Sequence, residues 1–216
     1  LAALRAAGAE LVDLPNPEFK GLGDAENLIL GYEFKAGINA YLAAAPPAVR
    51  ARTLDDLIAF NASEPRETVL FGQELFQLVA TLGGLDDPAY LKAKADARRI
   101  AGAGGIDRWV AEHRLDAIVA PTNAPAPLTD PVNDSAWLGS ASRPAAVAGY
   151  PHLTVPMGAV RGLPVGLSFI GPAWSEAKLL SLGYAFEQAT RARVVPTFRP
   201  GIEADEDLQA AYAPLP

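Results

Sequence analysis

Residues 145–171 read AAVAGYPHLTVPMGAVRGLPVGLSFIG, and the fold turns on how this stretch is understood. It holds two short apolar, β-branched runs, 153–155 and 165–170, set among Gly149, Pro151, Pro156, Gly158, Gly162 and Pro164. Runs of this length between turn formers predict buried strands rather than helix. In the second run Val165, Leu167 and Phe169 alternate with Gly166, Ser168 and Ile170. That alternation predicts one packed face and one face closely approached by another element, with Gly166 leaving room for it. The join 157–164 is long enough for a hairpin. The pair is expected at the centre of a sheet.

Working outward, helical and extended patterns alternate. Leu1 opens in mid-pattern, and residues 1–7 read as the end of a helix stopped by Gly8. Residues 10–14 read as a strand ending at Pro15. Asp24 is a plausible N-cap for a long helix ending near Ala45, where Pro46 and Pro47 forbid continuation. Thr53 and Asp56 have capping-box spacing and open a short helix through Phe60. A helix over 68–82 carries Val69, Phe71, Leu75, Phe76, Leu78, Val79 and Leu82, enough that much of it should be buried. Asp87 followed by Pro88 starts a helix to Ala101. A glycine loop, 102–105, leads to a helix over 106–114 with Ile106, Trp109, Val110 and His113 on one face. A strand over 115–120 follows, and then a long Pro-, Asn- and Asp-rich loop to Arg143. Ser175 caps a last helix with Leu179, Leu182 and Phe186 inward, and Val194 with Val195 forms a candidate edge strand. The fold class expected is α/β, a mixed β-sheet of three or four strands covered by helices. Residues 1–200 form one partial domain on this reading, and 201–216 an acidic, solvated tail.

Bulk properties exclude several functions. The net charge is −7 and the pI near 4.9, so no nucleic-acid partner is expected, since phosphate binding needs clustered Lys and Arg. No membrane span is expected, because no window approaches the roughly 18 uninterrupted apolar residues one requires. The chain has no cysteine, which removes disulfides, thiolate metal ligands and cysteine nucleophiles. It leaves the cellular compartment undetermined. No cofactor and no metal site is implied, with two histidines and no tight carboxylate cluster.

The run 147–158, then 162–171 and 174–180, resembles the C-terminal half of the amidase-signature hydrolases, and within them the peptide-amidase branch. Residues 32–42 (YEFKAGINAYL), 54–61 (LDDLIAFN) and 71–76 (FGQELF) fit the same branch, and the resemblance runs in order from about Leu1 to Arg199. It implies hydrolysis of carboxamides, with a peptide C-terminal amide as one candidate bond. It also implies a nucleophilic serine, a second serine in a cis peptide, and a lysine that takes the relayed proton. Backbone N–H groups of a Gly/Ser-rich loop stabilise the oxyanion in that scheme.

Here the pattern departs. The sequence contains no Ser-Ser pair, and its five lysines, Lys20, Lys35, Lys92, Lys94 and Lys178, match nothing in the catalytic motif. No catalytic residue is therefore assigned. The expectation is a fragment whose catalytic groups lie upstream, inactive alone, with a vacant sheet edge and an exposed apolar patch near the core hairpin. The rival is a non-catalytic binding or assembly module pairing with a separate catalytic chain. The partners expected are an amide substrate, small-molecule or peptide, and the missing N-terminal half.

Lesser candidates weigh less. Ser140 and Ser142 superficially resemble the missing loop, but no base is in view. A triad through His152 needs geometry that an inventory of residues does not supply. The glycines at 102–105 join two helices and do not follow a strand, so they do not form a phosphate cradle. The stronger candidate is the loop after the strand over 115–120, since ligands in open α/β sheets bind beyond the carboxyl ends of strands. Thr122, Asn123, Asp130, Asn133, Trp137 and Ser140 are accordingly the candidate substrate-binding residues, a region that faces the active-site cleft in the family the chain resembles. Tyr32 and Phe34 are weaker candidates that core packing explains equally well.

Overall fold

The structure is a computed structural model, and it describes residues 1–15, 19–130, 139–198 and 201. Helix α1 spans Ala2–Ala6, α2 Leu22–Ala43, α3 Leu54–Ser63, α4 Pro65–Thr68, α5 Glu74–Ala80 and α6 Pro88–Ala101. A π-helical turn, Gly102–Ile106, runs straight into α7, Asp107–His113. Strand β1 (Ile118–Pro121), α8 (Arg143–Ala148), β2 (His152–Val160), β3 (Leu163–Ile170) and α9 (Glu176–Thr190) complete the described elements.

Of the two strands within 145–171, β3 is the centre of the described sheet, while β2 lies at its edge rather than beside β3 at the centre. β3 lies between β1 and β2, and each pairing among these three strands is antiparallel. Both strands extend further than the apolar runs predict. β2 and β3 continue through the supposed join and leave only Arg161 and Gly162 to turn, at φ 51° and 84°. Two successive positive φ values are what a tight hairpin with right-handed twist requires. Pro156 has no N–H to give the ladder, and the register shifts between Pro156 and Gly158 in a bulge.

One face of the sheet is apolar. Val155, Leu167 and Phe169 pack against Leu179 and Phe186 of α9, with Leu153, Val119 and Leu182 at the margin. Gly183 lets α9 come close, since a Cβ there would lie 2.5 Å from Leu153 Cδ2. On the opposite face Ile170 meets Ile106 and Ala145, so α8 and the π-turn cover one end of that face only. A second core joins Leu22 of α2 to Ala97 and Ala101 of α6, with Ile29 and Val147 against it.

Several expected elements differ. Residues 10–14 and 194–195 are not strands, because neither finds a ladder partner among the described residues. The N-cap of α2 is Gly21, with φ 79°, and Asp24 instead sits in the first turn, where its charge suits the helix dipole. The single helix expected over 68–82 is reduced to α5, since α4 ends at Thr68 and 69–73 is not helical. Its apolar side chains are largely exposed, and only Val79 of α5 is buried. The glycines at 102–105 form a π-turn rather than a loop, because Gly102 and Gly105 are buried against Tyr150 and Phe19 and must stay wound. His113 is exposed, while Ile106 and Trp109 carry the buried face. Ser175 occupies the N-cap of α9, but its hydroxyl donates to the Pro172 carbonyl rather than accepting from the helix. α8 was not foreseen, and Pro144 at its start and Gly149 at its αL end fit a helix of 6 residues. The residues 202–216 of the acidic tail lie outside the described residues.

Candidate functional site

Residue alternation along β2 and β3 places His152, Thr154, Pro156, Gly166, Ser168 and Ile170 on the face opposite α9. α8 and the π-turn cover Ile170, and His152, Thr154 and Ser168 give the remainder of the row three polar side chains. Thr122 joins it from the end of β1, where its N–H donates to the Gly166 carbonyl at 2.8 Å. Position 166 must be small. A Cβ there would lie 2.6 Å from Thr154 Oγ1 and 2.9 Å from Thr122 Oγ1.

The side chains of this row form one continuous hydrogen-bonded chain. His152 Nε2 lies 2.6 Å from Ser168 Oγ, Ser168 Oγ donates to Thr122 Oγ1 at 2.9 Å, and Thr122 Oγ1 lies 2.6 Å from Thr154 Oγ1. Ser168 is fully buried, Thr122 half-buried and Thr154 exposed, so the chain leads from the sheet interior to its surface. Burial pushes the His152 imidazole below the ordinary histidine pKa, which favours the neutral ring.

A serine touching an imidazole is the contact a self-contained hydrolase would show. Two features separate this pair from a nucleophile and its base. Ser168 already spends its proton on Thr122, so the imidazole donates to the serine rather than drawing a proton from it. Ser168 also has no exposed surface on which a carbonyl carbon could reach it.

Beside this row the chain brings together part of the expected loop. Asn123 pairs with Ser140 in an isolated antiparallel bridge, and Ala141 N–H donates to the Thr122 carbonyl at 3.0 Å. Ser140 Oγ is 2.9 Å from Ser142 Oγ and accepts from the Ser142 N–H at 3.2 Å, which ties off the entry to α8. Thr122, Asn123 and Ser140 thus lie together at one rim of the sheet. Asp130 is a half-buried residue further along the loop. Asn133 and Trp137 lie outside the described residues. Tyr32 is core, its hydroxyl donating to Asp87 Oδ2 at 2.8 Å, and Phe34 stacks on Phe76 with ring centroids 5.5 Å apart. His152, Thr154 and Ser168 were not expected as a group. The period of two that places Gly166 on the approached face also places these three there, and that was the signal available.

Among the described residues no group of three or more His, Asp or Glu side chains could hold a metal ion. No described helix is long and apolar enough to cross a membrane.

A family model described as amidase matches residues 1–180. The chain belongs to the amidase family. It is 33% identical over 207 residues to a probable amidase of Arabidopsis thaliana, an alignment covering 92% of this chain and 36% of that protein. It is 47% identical to the crystal structure of the native peptide amidase from Stenotrophomonas maltophilia, with a TM-score of 0.79, covering 92% of this chain and 40% of that one. A peptide amidase solved with the competitive inhibitor chymostatin is 48% identical at a TM-score of 0.81, over 91% of this chain and 40% of that one. The 216 residues therefore correspond to well under half the length of these amidases. The amidase-signature fold is shared, and within the described residues its three-stranded sheet is not closed.

Proposed function

We infer that this chain is the C-terminal portion of an amidase that hydrolyses carboxamides, with peptide C-terminal amides as the substrate class. The observation that carries this is the 48% identity to a peptide amidase across 91% of the chain. The reaction proceeds through a Ser, cis-Ser and Lys set that these residues do not contain, since the sequence has no Ser-Ser pair. The chain contributes the sheet, its helical cover and one wall of the substrate cleft. Thr122, Asn123 and Ser140 at the rim, with Asp130, are its candidate substrate contacts, and Asn133 and Trp137 of the same loop, outside the described residues, are candidates from the sequence alone. The remaining portion of the amidase, bearing the serines and the lysine, is its partner.

Ammonia release from peptide amides tests the reading. The isolated 216 residues should release none above the buffer rate. A polypeptide that joins them to a segment with the Gly-Ser-Ser-Gly-Gly loop and its lysine should release it. Release by the isolated chain, or none by the joined polypeptide, would overturn the assignment.

A further inference from the structure

The hydrogens along the sheet face can be counted. Ser168, Thr122 and Thr154 bring three hydroxyl hydrogens, and because Ser168 donates onward to Thr122, His152 must bring a fourth on Nε2. Four hydrogens serve three contacts. His152 to Ser168 uses the imidazole hydrogen, and Ser168 to Thr122 uses the serine hydrogen. The contact between Thr122 and Thr154 uses one of their two, whichever residue donates. One hydroxyl hydrogen is left over at that pair, and it has no further partner among the described residues. Gly166 beside it keeps the spot open, because any side chain there would displace both hydroxyls.

We propose that His152 and Ser168 polarise this chain so that the Thr122 and Thr154 pair presents a single hydroxyl donor that binds a carbonyl oxygen of the substrate's peptide chain. This rests on the amidase reading and deepens it. A hydroxyl hydrogen with no partner among the described residues calls for an acceptor, and the non-scissile carbonyls of a peptide amide are acceptors of that kind. His152 and Ser168 are positioning residues that never meet the substrate. Reversing the imidazole tautomer would turn the serine hydrogen back toward His152 and break the count.

Two measurements test it. Long-range nitrogen–proton NMR on the 216-residue chain reads the His152 tautomer without any need for activity. A protonated Nε2 is expected, and a bare Nε2 overturns the proposal. The second uses the amidase polypeptide that contains these residues and an N-acetyl dipeptide amide, with each non-scissile carbonyl changed in turn to a thiocarbonyl, a weaker acceptor. One such change should raise KM about three- to tenfold in the parent protein with kcat little altered. The paired Thr122→Val and Thr154→Val variant should treat that analogue and the oxygen substrate alike, and Thr154→Ser alone, which keeps the hydroxyl, should retain the parent's discrimination. Equal discrimination by the parent and the paired valine variant overturns the proposal. Where the polypeptide turns over no amide, the amidase reading fails. Calorimetric binding of the same amides to the same variants then decides the donor, and no binding, or binding indifferent to the valines, overturns it.

Discussion

Gly166 and Thr122 face each other across the end of the sheet, joined by the Thr122 N–H to Gly166 carbonyl bond of 2.8 Å, with no room for a Cβ between them. The glycine is fixed by what stands opposite it. No positive φ is involved, because the constraint is the 2.6 Å and 2.9 Å approach to the two threonine hydroxyls.

Gly166→Ala should therefore destabilise the chain by about 1–3 kcal/mol, the usual cost of an added methyl group where neighbours cannot retreat. Urea denaturation of the variant and the parent measures it. Thr154→Ala combined with Gly166→Ala should recover part of the loss, because the nearer obstacle is gone. An additive loss in the double variant would show that the hydroxyl is not the obstacle.

His152 gives a second expectation, in pH. Its folded pKa lies below the ordinary value because burial disfavours the charged ring. As pH falls through the ordinary histidine pKa of about 6.5, the unfolded chain binds a proton that the folded chain refuses. Stability should therefore decline below about pH 6.5 and level off only under the folded pKa. Asp56 and Asp87 have carboxyls held below their ordinary values by the hydrogen bonds they accept, first from the Arg52 and Ala89 N–H groups respectively. Their contribution is present above the unfolded carboxyl pKa and disappears as pH falls through the lower folded one, so it is lost in a more acid range. The urea midpoint between pH 8 and pH 5, with His152→Asn as comparison, separates the two. The variant should lack the decline near neutrality. An identical slope in both proteins would falsify the burial argument.

The parts of this fold that were legible are those governed by local chemistry. The period of two in β3, the Thr53 capping box and the Asp87-Pro88 helix start each depend on residues within a few positions, and each is observed. The parts that were not legible depend on partners far along the chain. Val194 and Val195 have strand composition but no ladder to join among the described residues, and the glycines at 102–105 stay wound because Tyr150 and Phe19 close on them from elsewhere. In the candidate site, Thr122 was visible as a strand-end residue. Its link to His152 was not, because it passes through Ser168, and register alone brings those residues together.

Thr53 illustrates a local rule with a measurable consequence. Its hydroxyl accepts from the Asp56 N–H at 3.2 Å, and the Asp56 carboxylate accepts in return from the Thr53 N–H at 3.0 Å. The same carboxylate accepts from the Arg52 N–H at 2.8 Å, so Asp56 serves two donors and Thr53 one. Thr53→Ala should cost about 1 kcal/mol of stability in urea denaturation, and Asp56→Ala at least as much. The two losses should fall short of additive when combined, because each removes half of one reciprocal pair. Full additivity would mean the two bonds act separately.

Exposed apolar residues occur at the hairpin, where Val160 and Leu163 beside the turn are 49% and 41% exposed, and a second group lies away from it. Val69, Leu70, Phe71, Leu75 and Leu78 are between 62% and 75% exposed, and they cluster in and just before α5. Elsewhere the same segment is well anchored. Lys35 Nζ donates to the Ala80 carbonyl at 2.8 Å and to that of Leu82, and Gln73 Nε2 donates to the Ile58 carbonyl at 3.2 Å. A segment held in place by hydrogen bonds while presenting five large apolar side chains has a surface that water disfavours and another protein surface would cover. In solution the 216-residue chain should therefore associate with itself in a concentration-dependent way, seen as rising sedimentation coefficients, and should bind an apolar dye. Phe71→Ser together with Leu75→Glu should reduce both without lowering the urea midpoint by more than about 0.5 kcal/mol equivalent, since neither side chain is buried within the chain. A chain that sediments as a single monomer at every concentration and leaves the dye dark would show that this face is already satisfied.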